Sequence, residues 1–450
     1  MIMTLASRML GLVRIRVMSS LMGATATGDI FFFTFNLANN SRKLLAEGAL
    51  SSAYIPAYAQ LAHEDPQRAD RFFLQTALLL TSFILVLAGV LFFTAPSLLH
   101  TISQLDTQLI SRYAAPLLGV FSLYLLGIML TTQCSGTLQV HGRFFLPSLA
   151  PLVVSVSVIM ISLFFYPRYG VTSIAWGFAL GALIPAVLMM LYIKPSASLS
   201  WKGSREGITT LLLSRWGMLT LFSAILFIGQ QISFYLASTL EEGSVMIFSN
   251  ALLIWQLPFG IFFVSIASSL HPELSQLYAQ KDIHAARERI SRSAGYIFAL
   301  LIPSGMLLWL FSQEMAQLIL LSGRYDAASV ARTAELLRYL APALPAAGIT
   351  QLFMRDLYIR SAWKTAFLRT VLVTAIDVGG SILLIRTTLG LAGLPAAYSA
   401  AALTLACISL VRFSPDRGMV RSWLKILGSA AAGGALMVLL RGIISPWQAS

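Results

Sequence analysis

Charge is scarce in this sequence: of 450 residues only 11% are Asp, Glu, Lys or Arg, against about 25% in ordinary soluble domains, while 57% are hydrophobic. That balance leaves no room for a sizeable water-soluble domain. Apolar stretches of about 20 residues, each long enough to cross a bilayer, recur along almost the whole chain with short connectors. Cysteine is nearly missing; Cys134 and Cys407 both fall within apolar stretches, which argues against a disulfide framework. The five histidines lack close metal-ligand spacing. No Walker loop and no dinucleotide glycine pattern occurs, which argues against direct ATP driving.

What is present is helix after helix. Hydropathy predicts an all-α polytopic membrane protein with spans at 2–22, 30–62, 72–99, 111–140, 144–166, 171–193, 211–239, 244–277, 293–312, 329–359, 363–385, 391–412 and 424–440. The first holds Arg8 and Arg14 in its apolar run and lacks a cleavage pattern, so it reads as a retained helix rather than a signal peptide. A net charge of +13 raises the question of nucleic acid. Position answers it: with the amino terminus in the cytoplasm, Arg68, Arg71, Arg143, Lys202, Arg205, Arg287, Arg360, Arg369 and Arg412 fall on the inner side, whereas Arg112, Arg168, Arg324 and Arg386 are among the few outside. This is the positive-inside asymmetry of a membrane protein, and no nucleic-acid partner is expected.

Two stretches repeat. SSAYIPAYAQL (51–61) and SSLHPELSQL (268–277) each carry a proline followed four positions later by Gln and then Leu, near the inner end of a long span. An even number of spans separates them, so the chain reads as two six-helix lobes in parallel pseudo-repeat: 1–208, 209–415, and an extra helix in 416–450. Transporters built this way place their substrate between the halves.

Polar residues inside the spans mark where function sits, because a charge facing lipid costs roughly 2.5–3.5 kcal/mol on insertion scales. On helix 1, Thr4, Ser7, Gly11 and Arg14 form a small and polar stripe with Arg8 beside it; on helix 2, Asn39, Arg42 and Lys43 share a face, with Glu47 a turn farther on. Such a cavity suits a phosphate or diphosphate, which guanidinium forks grip with paired hydrogen bonds, and Asp29 and Glu47 would hold the arginines in place. The blander alternatives are that Arg8 and Arg16 snorkel to headgroups, that Arg42 and Glu47 form a structural ion pair, and that Lys43 faces headgroups or solvent. Asp377, near the centre of its span with Thr374 one turn earlier, is a second signal: a proton carrier, a ligand for a small cation, or a protonated acid bonded to a neighbouring helix.

SRMLGLVR (7–14), the turn from Gly23 to Asp29, and FNLANNSRKLLAEGALSSAYIPAYAQ (35–60) resemble the opening of the MurJ/MviN lipid II flippases. LPFGIFFVSIASSLHPELSQ (257–276) and SGRYDAASVA (322–331) resemble later parts of the same family. The resemblance implies a two-lobed exporter of the multidrug/oligosaccharidyl-lipid/polysaccharide superfamily in the bacterial cytoplasmic membrane, and no enzyme. It implies lipid II, the undecaprenyl-diphosphate-linked disaccharide peptide, as cargo, carried to the outer leaflet by alternating access. Arg8, Arg14 and Arg42 match the family's cavity arginines, and Asp29, Asn39 and Glu47 its nearby polar positions; Asp377 is similar in place to a carboxylate some members use for sodium. No cofactor is expected beyond a coupling sodium ion or proton. Expected partners are membrane lipids and cell-wall synthesis proteins.

Departures from the family pattern keep other readings open. Leu253 stands where the family carries a further cavity arginine, Gln256 where many members are acidic, Ile15 where an aspartate is usual, and Asn36 and Ala38 in place of a lysine and a proline. The family has fourteen helices and this chain shows about thirteen apolar spans. The alternatives are export of another polyprenyl-linked glycan or an amphipathic drug, and a transport-inactive scaffold for cell-wall synthesis.

Overall fold

The computed structural model describes residues 2–43, 51–194, 205–414 and 417–444, and these fold almost wholly into helices. Short connectors stop and restart them by ordinary capping chemistry. The first helix, α1 (Ile2–Met22), ends at Gly23, whose φ of +66° no side chain adopts readily, and Thr25 then caps α2 (Ala26–Arg42) by accepting from Gly28 N. Beyond α3 (Ser51–Glu64), Asp65 caps α4 (Pro66–Ile102) with proline in the first turn, and Asp106 caps α5 (Thr107–Val140). The chain continues through α6 (Phe145–Tyr169), α7 (Val171–Ile193) and α8 (Arg205–Ser238).

Residues Met1–Met246 together with Ile319–Asp326 pack as one unit. Its centre is aromatic. Phe31 and Phe35 of α2 meet Phe121 and Tyr124 of α5 and Phe178 of α7, with the Phe35 and Phe178 rings 4.6 Å apart. Backbones come close where side chains are smallest: a Cβ added to Gly177 or Gly181 of α7 would lie 2.7 Å from a backbone atom of α6, at Val158 or Val154. Small residues four apart permit this contact between membrane helices. The segment 319–326 docks on the α1–α2 turn, Arg324 N donating to Ser20 O at 2.9 Å. Outside, α4 leaves Phe93 83% and Val86 68% exposed, a surface suited to lipid and adverse in water.

The second unit comprises Ile247–Leu318 and Ala327–Ser450. From α9 (Ser244–Pro258) the chain passes a π-helical turn, Phe259–Phe263, into α10 (Val264–Ala279). There follow α11 (Ile283–Leu310), α12 (Ser312–Leu320), α13 (Ala327–Leu340), α14 (Ala343–Ile359), α15 (Trp363–Leu384), α16 (Gly393–Phe413) and α17 (Arg417–Ile444). Trp423 anchors α17 to α11 through a 3.2 Å hydrogen bond to Ser291 O and an edge contact with Phe298.

Among the described residues, nine helices are long and apolar enough to cross a membrane, so the chain is a polytopic helical membrane protein. Several expected spans change shape. The one at 329–359 is two helices, α13 and α14, separated by a turn at Ala341 and Pro342, because proline disfavours helical backbone in the residue before it. The one at 293–312 starts at Ile283, where Asp282 accepts from Ala285 N: the helix runs ahead through HAARERISRS, which hydropathy passes over. The one at 30–62 begins at Ala26 and falls on α2 and α3, with 44–50 between them outside the described residues. By packing, α8 belongs with the first unit, resting on α2 and α3.

Candidate functional site

The first unit places one cation where few are tolerated. Arg14 sits on α1 with its guanidinium carbon 5.2 Å from the centre of the Phe178 ring. Its Nε is buried and makes no hydrogen bond, and no carboxylate among the described residues pairs with it. Tyr124 and Arg42 lie within electrostatic range of it, and Arg42, a like charge, repels it. A cation held by ring faces alone gains about 2 kcal/mol at best, less than the several kcal/mol that burying an unpaired ion costs.

Arg42 ends α2, its Nε donating to Asn39 Oδ1 at 3.0 Å. Asn40, next in sequence, donates to Gln231 Oε1 of α8 at 3.3 Å, leaving Asn40 Oδ1 and Gln231 Nε2 buried without partners. The structure therefore brings Arg14, Arg42 and Asn39 into one neighbourhood and adds Tyr124, Phe178, Asn40 and Gln231 to it. Arg8 and Ser7 are half-buried on α1 and make no hydrogen bond or ion pair among the described residues; Arg8 is six residues from Arg14, about 9 Å along the helix. Arg16, exposed, reaches Leu321 O at 3.4 Å. Glu47 lies outside the described residues.

Asp29 stands apart from this cluster. It opens α2, thirteen residues and about 20 Å from Arg42, with both carboxylate oxygens engaged: Oδ2 accepts from Gly243 N at 2.7 Å and Oδ1 from Met246 N at 2.8 Å. Glu242 Oε1 in turn accepts from Ala26 N at 2.7 Å. Two helix N-termini thus cap each other through their acidic residues, each carboxylate at the positive end of a helix dipole. Asp29→Ala is expected to cost about 2 kcal/mol of stability, with asparagine recovering part of it. Thermal unfolding in detergent measures this, and an unchanged midpoint for the alanine protein would contradict the capping role.

The second unit holds Asp377 near the middle of α15. Thr374, three residues before it, and Ser381, four after, lie on the same face, and both hydroxyls are buried without hydrogen-bond partners. Tyr398 of α16 is within electrostatic range of Asp377 and packs edge-on to Trp255 at 5.6 Å. A carboxylate with two unengaged hydroxyl oxygens is a hard-oxygen set, the kind that suits a small cation or a proton. Ser381 was readable from its spacing to Asp377. Phe178, Tyr124 and Tyr398 had no signal in the sequence, because only the fold brings them near the charged residues.

An all-helical membrane protein with two arginines close together within one unit and a half-buried carboxylate in the middle of a helix in the other has parts found in transporters of charged cargo. Comparison makes the class particular: the family model described as "Lipid II flippase MurJ" matches residues 18–448, and the chain belongs to that family of flippases, which are transporters and not enzymes. It is 31% identical over 392 residues to the "Probable lipid II flippase MurJ" of Borreliella burgdorferi, covering 85% of this chain and 76% of that one. With the Thermotoga maritima protein of the same description it shares 26% identity over 441 residues, 98% of this chain and 89% of the other. Among solved structures, "Lipid II flippase MurJ, inward closed conformation" superposes with a TM-score of 0.83 at 22% identity, covering 98% of this chain and 92% of that one. An inward-facing multidrug resistance MATE family transporter of the MOP superfamily gives 0.77 at 15% identity, covering 93% and 96%. The chain therefore shares its fold with both structures.

Proposed function

We propose that this chain carries lipid II from the inner to the outer leaflet of the bacterial cytoplasmic membrane by alternating access, its amino terminus in the cytoplasm. The observation that supports this most is Arg14: a guanidinium with a buried, unpartnered Nε, no acidic partner among the described residues, and Arg42 within electrostatic range, in a chain of this family. Arg14 and Arg42 grip the diphosphate. Asn39 orients Arg42, Ser7 and Arg8 extend the polar stripe along α1 toward the sugar, and Glu47 restrains the arginines. Asp29 contributes by fixing the start of α2.

The moving parts are proposed to be two six-helix lobes in parallel repeat, 1–208 and 209–415, with 416–450 added. Pro56 inside α3 and Pro272 inside α10 support the duplication. A repeat boundary records duplication and a packing unit records contact, so the two need not coincide. Asp377 with Thr374 takes up the coupling ion, sodium or a proton. Further proposed partners are membrane lipids and cell-wall synthesis proteins.

One observation favours a different cargo: Leu253, half-buried on α9, offers no charge to a second phosphate or a sugar acid. Competition on the purified protein separates the readings. Lipid II is expected to displace a bound fluorescent analogue at about tenfold lower concentration than an undecaprenyl-diphosphate bearing an unrelated glycan. Equal displacement by both would move the cargo to polyprenyl-linked glycans in general.

A further inference from the structure

Four arginines converge at one end of the second unit, around a cavity of about 350 Å³, where the ends of α10, α11, α14, α15 and α16 come together. They are Arg287, Arg360, Arg369 and Arg412, and one carboxylate, Asp356, lines the cavity with them. That carboxylate is already used: Oδ1 accepts from Tyr278 Oη at 2.5 Å, and Oδ2 is ion-paired with Arg360. Arg287 turns to backbone, donating to Phe413 O at 2.6 Å and Ser414 O at 3.1 Å. Two further cations, Arg369 and Arg412, make no ion pair among the described residues.

Arg369 is only 9% exposed, and its one hydrogen bond is to Ser409 Oγ at 3.2 Å. Arg412 is exposed to the cavity mouth and makes no hydrogen bond or ion pair among the described residues. Both it and Arg360 repel Arg369, and Asp356, already paired with Arg360, offsets only part of that. Helix dipoles explain part of this arrangement and leave the rest. Arg360 and Arg412 sit at the C-terminal ends of α14 and α16, where a cation is welcome; Arg287 and Arg369 lie in the second turns of α11 and α15, where the dipole gives no such support. The first turn of α15 opens onto the cavity at Ala362 and Thr365, and Ala362 supplies no side-chain cap. A helix N-terminus, a buried guanidinium and an unpaired exposed one all ask for the same thing, an anion with several acceptor oxygens.

We propose that this cavity binds a phosphate group, held between Arg369 and Arg412 against the N-terminus of α15. The remaining wall is apolar, formed by Ile283, Ile290, Phe353 and Leu357, and Ile283 is 54% exposed. A phosphate carried on an acidic phospholipid headgroup satisfies both halves of the site. On the orientation proposed above, these helix ends face the cytoplasm, where basic pockets between membrane helices meet anionic headgroups. The site is separate from the Arg14 cluster and uses none of its residues.

The test is binding to the full chain in detergent micelles, read by native mass spectrometry and by thermal shift, with phosphatidylglycerol, phosphatidylcholine and inorganic phosphate as separate probes. Arg412→Gln is the principal variant, because Arg412 is exposed and makes no hydrogen bond or ion pair among the described residues, so its loss is expected to spare the fold; Arg369→Gln is the second. Phosphatidylglycerol is expected to bind the unaltered protein about tenfold more tightly than Arg412→Gln, the loss of one charge-assisted hydrogen bond, while phosphatidylcholine distinguishes neither. Inorganic phosphate that stabilises the unaltered chain as well as the lipid does, and loses the same factor in the variant, supports the site and assigns it to free phosphate. Equal phosphatidylglycerol and phosphate binding by the unaltered and Arg412→Gln proteins overturns the proposal.

Discussion

Arg14→Ala protein is expected to insert and fold while losing lipid II binding by about 2–5 kcal/mol, the usual cost of removing one partner from a buried charge pair. The argument rests on what Arg14 does not do. Its guanidinium pairs with no acid among the described residues, so alanine strands none of their carboxylates, and removing a buried cation relieves a desolvation cost. Stability in detergent should stay level or rise as binding falls. Arg14→Lys should recover little: an ammonium keeps the charge but lacks the planar fork, and it stacks less well on Phe178. Titration of lipid II onto the three purified proteins measures this. Unfolding of the alanine protein with binding retained would make Arg14 a structural residue.

Asp377→Asn should uncouple transport from its ion. In vesicles under an imposed sodium or proton gradient, the unaltered chain is expected to respond and the variant to ignore the gradient, with lipid II affinity changed by less than about threefold, within the scatter of a surface substitution. Thr374→Val and Ser381→Ala should weaken the response in the same direction, since their hydroxyls share the face of α15 with Asp377 and have no other partner. The same ion dependence in Asp377→Asn as in the unaltered chain would remove this residue from the mechanism.

Much of the fold was legible because hydrophobic length is what a bilayer measures. The bounds of α1 and α7 follow directly from their apolar runs. Errors came where local rules compete with hydropathy. The break between α13 and α14 was written in Pro342 but masked by the apolar residues around it, and α11 begins in a charged stretch that a hydropathy window discards. Within the site, Asn39 and Arg42 could be paired from their spacing alone. Asp29 could not be placed: its partners, Gly243 and Met246, are more than two hundred residues away, and an acidic residue at a helix start reads equally as a cap or as a cavity group. The Phe178 face under Arg14 is likewise a tertiary fact.

The most direct measurement is exposure of lipid II on the outer leaflet of bacteria whose own flippase has been switched off, with this chain or its Arg42→Ala form supplied at equal membrane levels. The account predicts that the unaltered chain restores exposure and that Arg42→Ala, inserted to the same extent, does not. Exposure restored equally by both would contradict the arginine grip, and exposure restored by neither would contradict lipid II transport by this chain.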